Sequence, residues 1–145
     1  MESNDAKILS LLARDGRMSY TDLGRATGLS TSAAQQRVRR LEQRGVISGY
    51  RAVINPEAVG RMLTAFVSLR SVDPMNDNEV PQRLASIDEV VSCYTVAGEA
   101  SHVLIVQAET PVHLEQVINS IRTMAGVSTT TQVVLSVPYA DRPPV

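Results

Sequence analysis

A chain of 145 residues, 43% of them hydrophobic, is long enough for one medium domain or two small ones. Its longest uninterrupted aliphatic run, Val103-Leu104-Ile105-Val106, falls far short of the ~20 residues that span a bilayer, and the acidic start Glu2-Ser3-Asn4-Asp5 lacks the apolar stretch of a signal peptide. A single cysteine, Cys93, excludes an intrachain disulfide and a multi-thiolate metal site, and two histidines, His102 and His113, leave little for a histidine-rich metal centre. These exclusions predict a cytoplasmic protein with no membrane partner and no metal. The net charge of -1 conceals a split: residues 1–51 carry nine basic and five acidic side chains, residues 52–145 five arginines and ten acids. Such asymmetry assigns a polyanionic partner to the first part alone.

The first third reads as three short helices. Ser3 or Asn4 is the expected cap of the first, whose stripe is Ile8, Leu9, Leu12 and Ala13 and whose stop is Gly16. Ser19 opens the second, with Asp22 in its first turn and Met18 and Leu23 placed as a hydrophobic staple; Gly28 ends it. Ser30 caps the third, which runs from Thr31 to Arg44 with Ala34, Val38 and Leu41 on its inner face and Gly45 beyond its end. Val46-Ile47 and Tyr50 to Ile54 then read as extended, and Asn55-Pro56 as a turn.

The second part alternates differently. Leu63, Ala65, Val67 and Leu69 define a half-buried strand that Asp73-Pro74 breaks, and a helix over 78–87 follows, with Val80, Leu84 and Ile87 on one face. Strands are expected at 90–97 and 102–109 around a tight turn at Gly98 to Ser101. Thr110-Pro111 begins a helix with Leu114, Val117, Ile118 and Ile121 inward, Gly126 ends it, and a last strand is expected over 127–137 before a polar tail. The order β-α-β-β-α-β is that of the ferredoxin-like fold, so the fold class is α+β. Both helices lie on one face of such a sheet, and the other face calls for cover by a second copy. Cys93, in an apolar strand, reads as a small buried hydrophobe, and each histidine as a surface or hydrogen-bonded residue.

The second and third helices with Gly28 between them form a helix-turn-helix, whose second helix enters the major groove with its N-terminal residues against the base edges. Those residues are Ser30, Thr31, Ser32, Gln35 and Gln36; glutamine can bond adenine bidentately, and serine and threonine suit more than one base. Arg37, Arg39, Arg40, Arg44 and Arg51 offer guanidinium forks to phosphates, with Glu42 the one acid among them. The bland alternative is a three-helix bundle whose arginines only solubilise it.

Gly28-Leu29-Ser30-Thr31-Ser32, Arg37-Val38-Arg39-Arg40-Leu41-Glu42, Gly45-Val46-Ile47-Ser48-Gly49-Tyr50, Asn55-Pro56 and Gly60 together resemble the Lrp/AsnC (feast/famine) transcription regulators. The resemblance implies a winged-helix-like DNA-binding domain (1–48), an extended hinge (49–60) and a ferredoxin-like effector-binding and oligomerisation domain, the RAM domain (61–145). It further implies a dimer building to octamers, an amino-acid effector bound between dimers in place of any cofactor, and a pseudo-palindromic double-stranded operator. By the same resemblance the effector site involves Tyr94 and the turn Gly98, Glu99, Ala100, Ser101 and His102, with Thr131 and Gln132 as further candidates. Many members carry Gly-x-Tyr-Asp-Tyr at this turn; here Ala100, Ser101 and His102 stand in the last three places, which leaves Glu99 to face an ammonium. A tight glycine turn can offer N–H groups to a carboxylate.

No phosphate-binding loop, nucleophile elbow, metalloprotease helix or paired carboxylates stand out, so no catalytic or metal-binding residue is expected. Two rivals remain: a haem-pathway decarboxylase-like enzyme, which has this family's fold without its regulation, and an architectural DNA-binding protein that needs no effector.

Overall fold

The computed structural model describes residues 2–145. Two compact units divide the chain, one of residues 1–53 with 139–145, the other of residues 54–138. The tail after Pro138 therefore groups with the first unit, whereas the sequence reading ran the second domain to its end; in it, the Arg142 guanidinium stacks 3.9 Å from the Tyr139 ring centroid.

The first unit is three helices: α1 (Ser3–Arg14), α2 (Tyr20–Thr27) and α3 (Thr31–Gln43). Its core is Ile8, Leu9, Leu23, Ala34, Val38 and Leu41, each contributed from the apolar stripe of its helix. Ser19 and Ser30 cap as their spacing predicts: their hydroxyls accept from the Asp22 and Ala33 N–H groups at 3.0 and 3.1 Å. The start of α1 differs. Glu2 takes the cap position with no side-chain hydrogen bond, so neither Ser3 nor Asn4 caps.

After α3 the N–H groups of Val46 and Ile47 both close onto the Leu41 carbonyl, at 2.9 and 3.1 Å. Neither Val46-Ile47 nor Tyr50 to Ile54 forms a strand, and no β-wing accompanies the helices among the described residues. Extended backbone becomes a sheet only with a partner strand, and none pairs there.

The second unit is a four-stranded antiparallel sheet in the order β2-β3-β1-β4, built from β1 (Leu63–Ser71), β2 (Val90–Thr95), β3 (His102–Ala108) and β4 (Val127–Val133). Two helices, α4 (Val80–Leu84) and α5 (Pro111–Ala125), complete the ferredoxin-like order. Ala65, Val67 and Leu69 of β1 lie opposite Val106, Leu104 and His102 of β3, and this row joins Leu84, Val117 and Ile121 in the core.

Two expected boundaries shift, and one expected burial fails. The helix expected at 78–87 is a 3₁₀ segment, Pro74–Glu79, followed by the five-residue α4; Pro81 has no N–H to give, which limits the α-helical ladder at that start. The last strand stops at Val133 rather than at 137. Its partner β1 begins at Leu63, and one further bond, Val134 N–H to the Thr64 carbonyl at 2.8 Å, exhausts the pairing. Cys93 is exposed, not buried, because β2 is an edge strand with no neighbour on its outer side.

Candidate DNA-binding surface and effector cleft

The α2–α3 turn depends on two glycines. A Cβ on Gly24 would lie 2.6 Å from the Leu29 carbonyl oxygen, so the chain after α2 can pass this close only to a glycine. Gly28 ends α2 with φ 73°, a left-handed backbone that side-chain-bearing residues rarely adopt. The Leu29 N–H then donates to the Gly24 carbonyl at 2.8 Å. This fixes how α3 leaves α2.

With ~3.6 residues per turn, the buried row Ala34, Val38 and Leu41 turns Ser32, Gln36, Arg39 and Gln43 to the opposite side, and all four are exposed. Thr31, Arg40, Arg44 and Arg51 are also exposed, and Gln35 is half-buried on one flank. Ser30 is committed to its cap. Gln43 was absent from the residues expected to meet DNA, although its spacing from Ser32, Gln36 and Arg39 (i, i+4, i+7, i+11) marks the same face.

Arg37 is the exception among the arginines. Its Nη1 donates to Glu2 Oε2 at 2.6 Å and to Asp5 Oδ1 at 2.9 Å, tying α3 to α1. These two hydrogen bonds, Glu2's first, raise the guanidinium further above its ordinary value. The expected phosphate role therefore does not fit Arg37: its Nη1 is held by two α1 carboxylates and its side chain is only 22% exposed.

In the second unit, a cleft of about 420 Å³ opens at the end of the β2–β3 hairpin beside the 3₁₀ segment. Of the expected effector residues, Gly98, Ala100, Ser101 and His102 line it. Glu99 is exposed in the turn and is not part of the wall. Tyr94 pairs with Val103, on the sheet face opposite that of His102, and is 54% exposed. Thr131 and Gln132 sit on β4, the far edge of the sheet, three strand spacings or ~14 Å from β2. A single chain does not bring these three residues to the cleft.

Asp77, Asn78 and Pro81 complete the cleft from the other side, and sequence reasoning missed them. Ser101 Oγ donates to Asp77 Oδ2 at 3.2 Å across 24 residues of chain, a separation that leaves no local signal. His102 is 3% exposed and its Nδ1 has no partner.

A second cleft, about 370 Å³, is lined by Glu89 and His113 among others. Its Glu89 and His113 are already paired: the Glu109 N–H donates to His113 Nδ1 at 3.0 Å, which leaves the ring proton on Nε2, 3.0 Å from Glu89 Oε1. A backbone hydrogen bond first, and His113 next, hold the Glu89 carboxyl below the usual carboxylate range against its partial burial. Desolvation pushes the Cys93 thiol up, away from nucleophilic thiolate character. Among the described residues no three His, Cys, Asp or Glu side chains could hold a metal ion. No helix there is long and apolar enough to cross a membrane.

Comparison with known proteins bears on both units. Residues 1–42 match the AsnC-type helix-turn-helix domain, and residues 64–144 the Lrp/AsnC ligand binding domain. The chain is 47% identical over 142 residues to the HTH-type transcriptional regulator LrpA of Mycobacterium tuberculosis, covering 98% of this chain and 95% of that one. A solved structure of the feast or famine regulatory protein from M. tuberculosis complexed with L-methionine superposes with a TM-score of 0.91 at 48% identity, covering 97% of this chain and 96% of that one. Escherichia coli AsnC gives a TM-score of 0.90 at 28% identity, covering 97% and 95%. The curated relatives are named as transcriptional regulators and not as enzymes, which sets the decarboxylase rival aside. A helix-turn-helix with its outward polar row, a ferredoxin-like sheet and domain matches over both units place the chain in the Lrp/AsnC family of transcriptional regulators.

Proposed function

We propose that the chain reads a pseudo-palindromic operator as a dimer, with one α3 per half-site and half-sites about one helical turn apart. The carrying observation is the outward row Ser32, Gln36, Arg39 and Gln43 on a helix whose opposite face is core. In this reading Gln36, with Thr31, Ser32 and Gln35, meets base edges, while Arg39, Arg40, Arg44 and Arg51 hold phosphates. Residues 1–48 form the DNA-binding part, 49–60 the link, and 61–138 the sensing and assembly part.

The helix-free sheet face supports the dimer. It presents Phe66 (42% exposed) and Tyr94 (54%) beside half-buried Val103 and Ile105, an apolar patch that a second copy would cover. Octamers and cytoplasmic, nucleoid-associated action follow from the same family reading. An amino acid is the effector in this proposal, as L-methionine is the ligand of the M. tuberculosis relative; no cofactor is needed. An effector acts by binding one assembly or DNA-bound state better than another, so its affinity and that for DNA are reciprocally coupled. Thr131 and Gln132 can join the site only from another copy.

Band-shift titration over a range of salt concentrations tests the DNA contacts. Arg39→Ala should weaken binding to all sequences and lower the slope of log affinity against log salt by about 1. Gln36→Ala should relax preference at one operator position, by about 1–3 kcal/mol of discrimination. Wild-type affinity and slope for Arg39→Ala, with unchanged preference for Gln36→Ala, would remove α3 from the groove. DNA binding that responds to none of the twenty amino acids would instead favour the architectural reading.

A further inference from the structure

We infer that Asp77 is the cation partner of the effector in the β2–β3 cleft, a role that the turn itself does not fill. The inference rests on the amino-acid reading of this cleft. Asp77 Oδ1 is buried and has no hydrogen-bond partner, while Oδ2 receives the Ser101 hydroxyl at 3.2 Å. A carboxylate left half-satisfied is destabilising unless something else completes it.

His102 gives an independent sign. It is 3% exposed, its Nδ1 lacks a partner, and it lines the same cleft. Two buried polar atoms without protein partners, one on each side of one cleft, are complementary to a polar ligand. The lining holds the Asp77 carboxylate and no lysine or arginine, so the charge it matches is positive. At the turn, the N–H groups of Ala97, Gly98, Glu99 and Ala100 find no acceptor within the described chain, and unpaired turn N–H groups suit a carboxylate. Pro81 and Val96 supply apolar wall between these two ends.

The ligand class this fits is a zwitterion, its ammonium on Asp77, its carboxylate at the turn and its side chain against Pro81 and Val96. Glu99, the acid nearest in sequence, is exposed and outside the wall. Ser101 acts as a positioning residue, holding the Asp77 carboxylate by its second oxygen.

Calorimetric titration of the full chain tests this, with L-methionine and the other nineteen standard amino acids each tried on the unsubstituted protein. The tightest ligand is then compared with its des-amino counterpart, for L-methionine 4-(methylthio)butanoate. Asp77→Asn keeps the shape and removes the charge. It should weaken the amino acid about ten-fold or more, leave the des-amino acid unchanged, and leave the melting temperature of the unliganded protein unchanged or raised. Glu99→Gln should change neither affinity. If Asp77→Asn lowers the melting temperature, Ser101→Ala decides: a selective loss of amino-acid affinity, smaller than ten-fold, supports the inference. Equal affinity in Asp77→Asn, or equal loss for both ligands, overturns the Asp77 role and leaves the effector reading intact. If none of the twenty amino acids binds the unsubstituted protein, the effector reading fails and the Asp77 role with it.

Discussion

The two units solve the same burial problem with different amounts of chain. Three helices close around six buried hydrophobic residues, and every one comes from a stripe within a single helix. The sheet unit buries thirteen, drawn from strands and helices that alternate along 63 residues, Ala65 to Val127. The consequence for function is direct. In the helical unit the face left over after burial is itself set by the helix period, so the outward row proposed to meet DNA is a by-product of the core row. In the sheet unit the candidate cleft forms where Asp77 and Ser101, from separate elements, meet. One site is periodic and the other is convergent.

The largest effect should come from the convergent unit. Leu104, fully buried at the centre of the sheet, should cost about 2–5 kcal/mol when cut to alanine, read by chemical denaturation. A loss below ~1 kcal/mol would mean that this core collapses around the hole and is looser than its burial implies.

The next prediction separates structure from function within α3. Arg37→Ala should lower the thermal stability of the helical unit, because Glu2 and Asp5 lose their shared partner. Its salt slope for DNA binding should match that of the unsubstituted protein, in contrast to Arg39→Ala. A slope reduced by about 1 in Arg37→Ala would return Arg37 to the phosphate-binding set.

The smallest effect concerns Tyr50, whose hydroxyl donates to Glu42 Oε1 at 2.9 Å. Burial first, and then the Glu42 hydrogen bond, push its phenol from 10 up to about 12. A group whose folded value is raised favours the protonated form in the folded state. Its contribution is therefore complete below pH 10 and is lost as pH rises from 10 towards about 12. Ultraviolet titration should show a late-ionising phenol, and Tyr50→Phe should abolish that late step. A late step that survives this substitution would place the lag elsewhere.

Serine caps, glycine stops and apolar stripes are local grammar, and for three helices they were enough: Ser19, Ser30 and Thr110 cap where their spacing says, whereas α1 starts at Glu2 without a side-chain cap and the helix expected at 78–87 opens as a 3₁₀ segment. Local grammar misled where the outcome depended on a distant neighbour. Tyr50 to Ile54 has strand character but no partner, and the last strand ends with β1, not with its own hydrophobic pattern. Cys93 has the surroundings of a core residue in sequence and lies on an edge in space. Arg37 looks like its neighbours until α1 brings Glu2 and Asp5 alongside.

The opposite charges of the two parts, the helix-turn-helix and the β-α-β-β-α-β order are all legible in the chain, because each depends on residues within a few turns or one strand of one another. Which arginine is free and which carboxylate meets the cleft are not. Each depends on contacts between residues tens of positions apart, such as Arg37 with Glu2 and Ser101 with Asp77, and no periodicity along the chain encodes such a meeting.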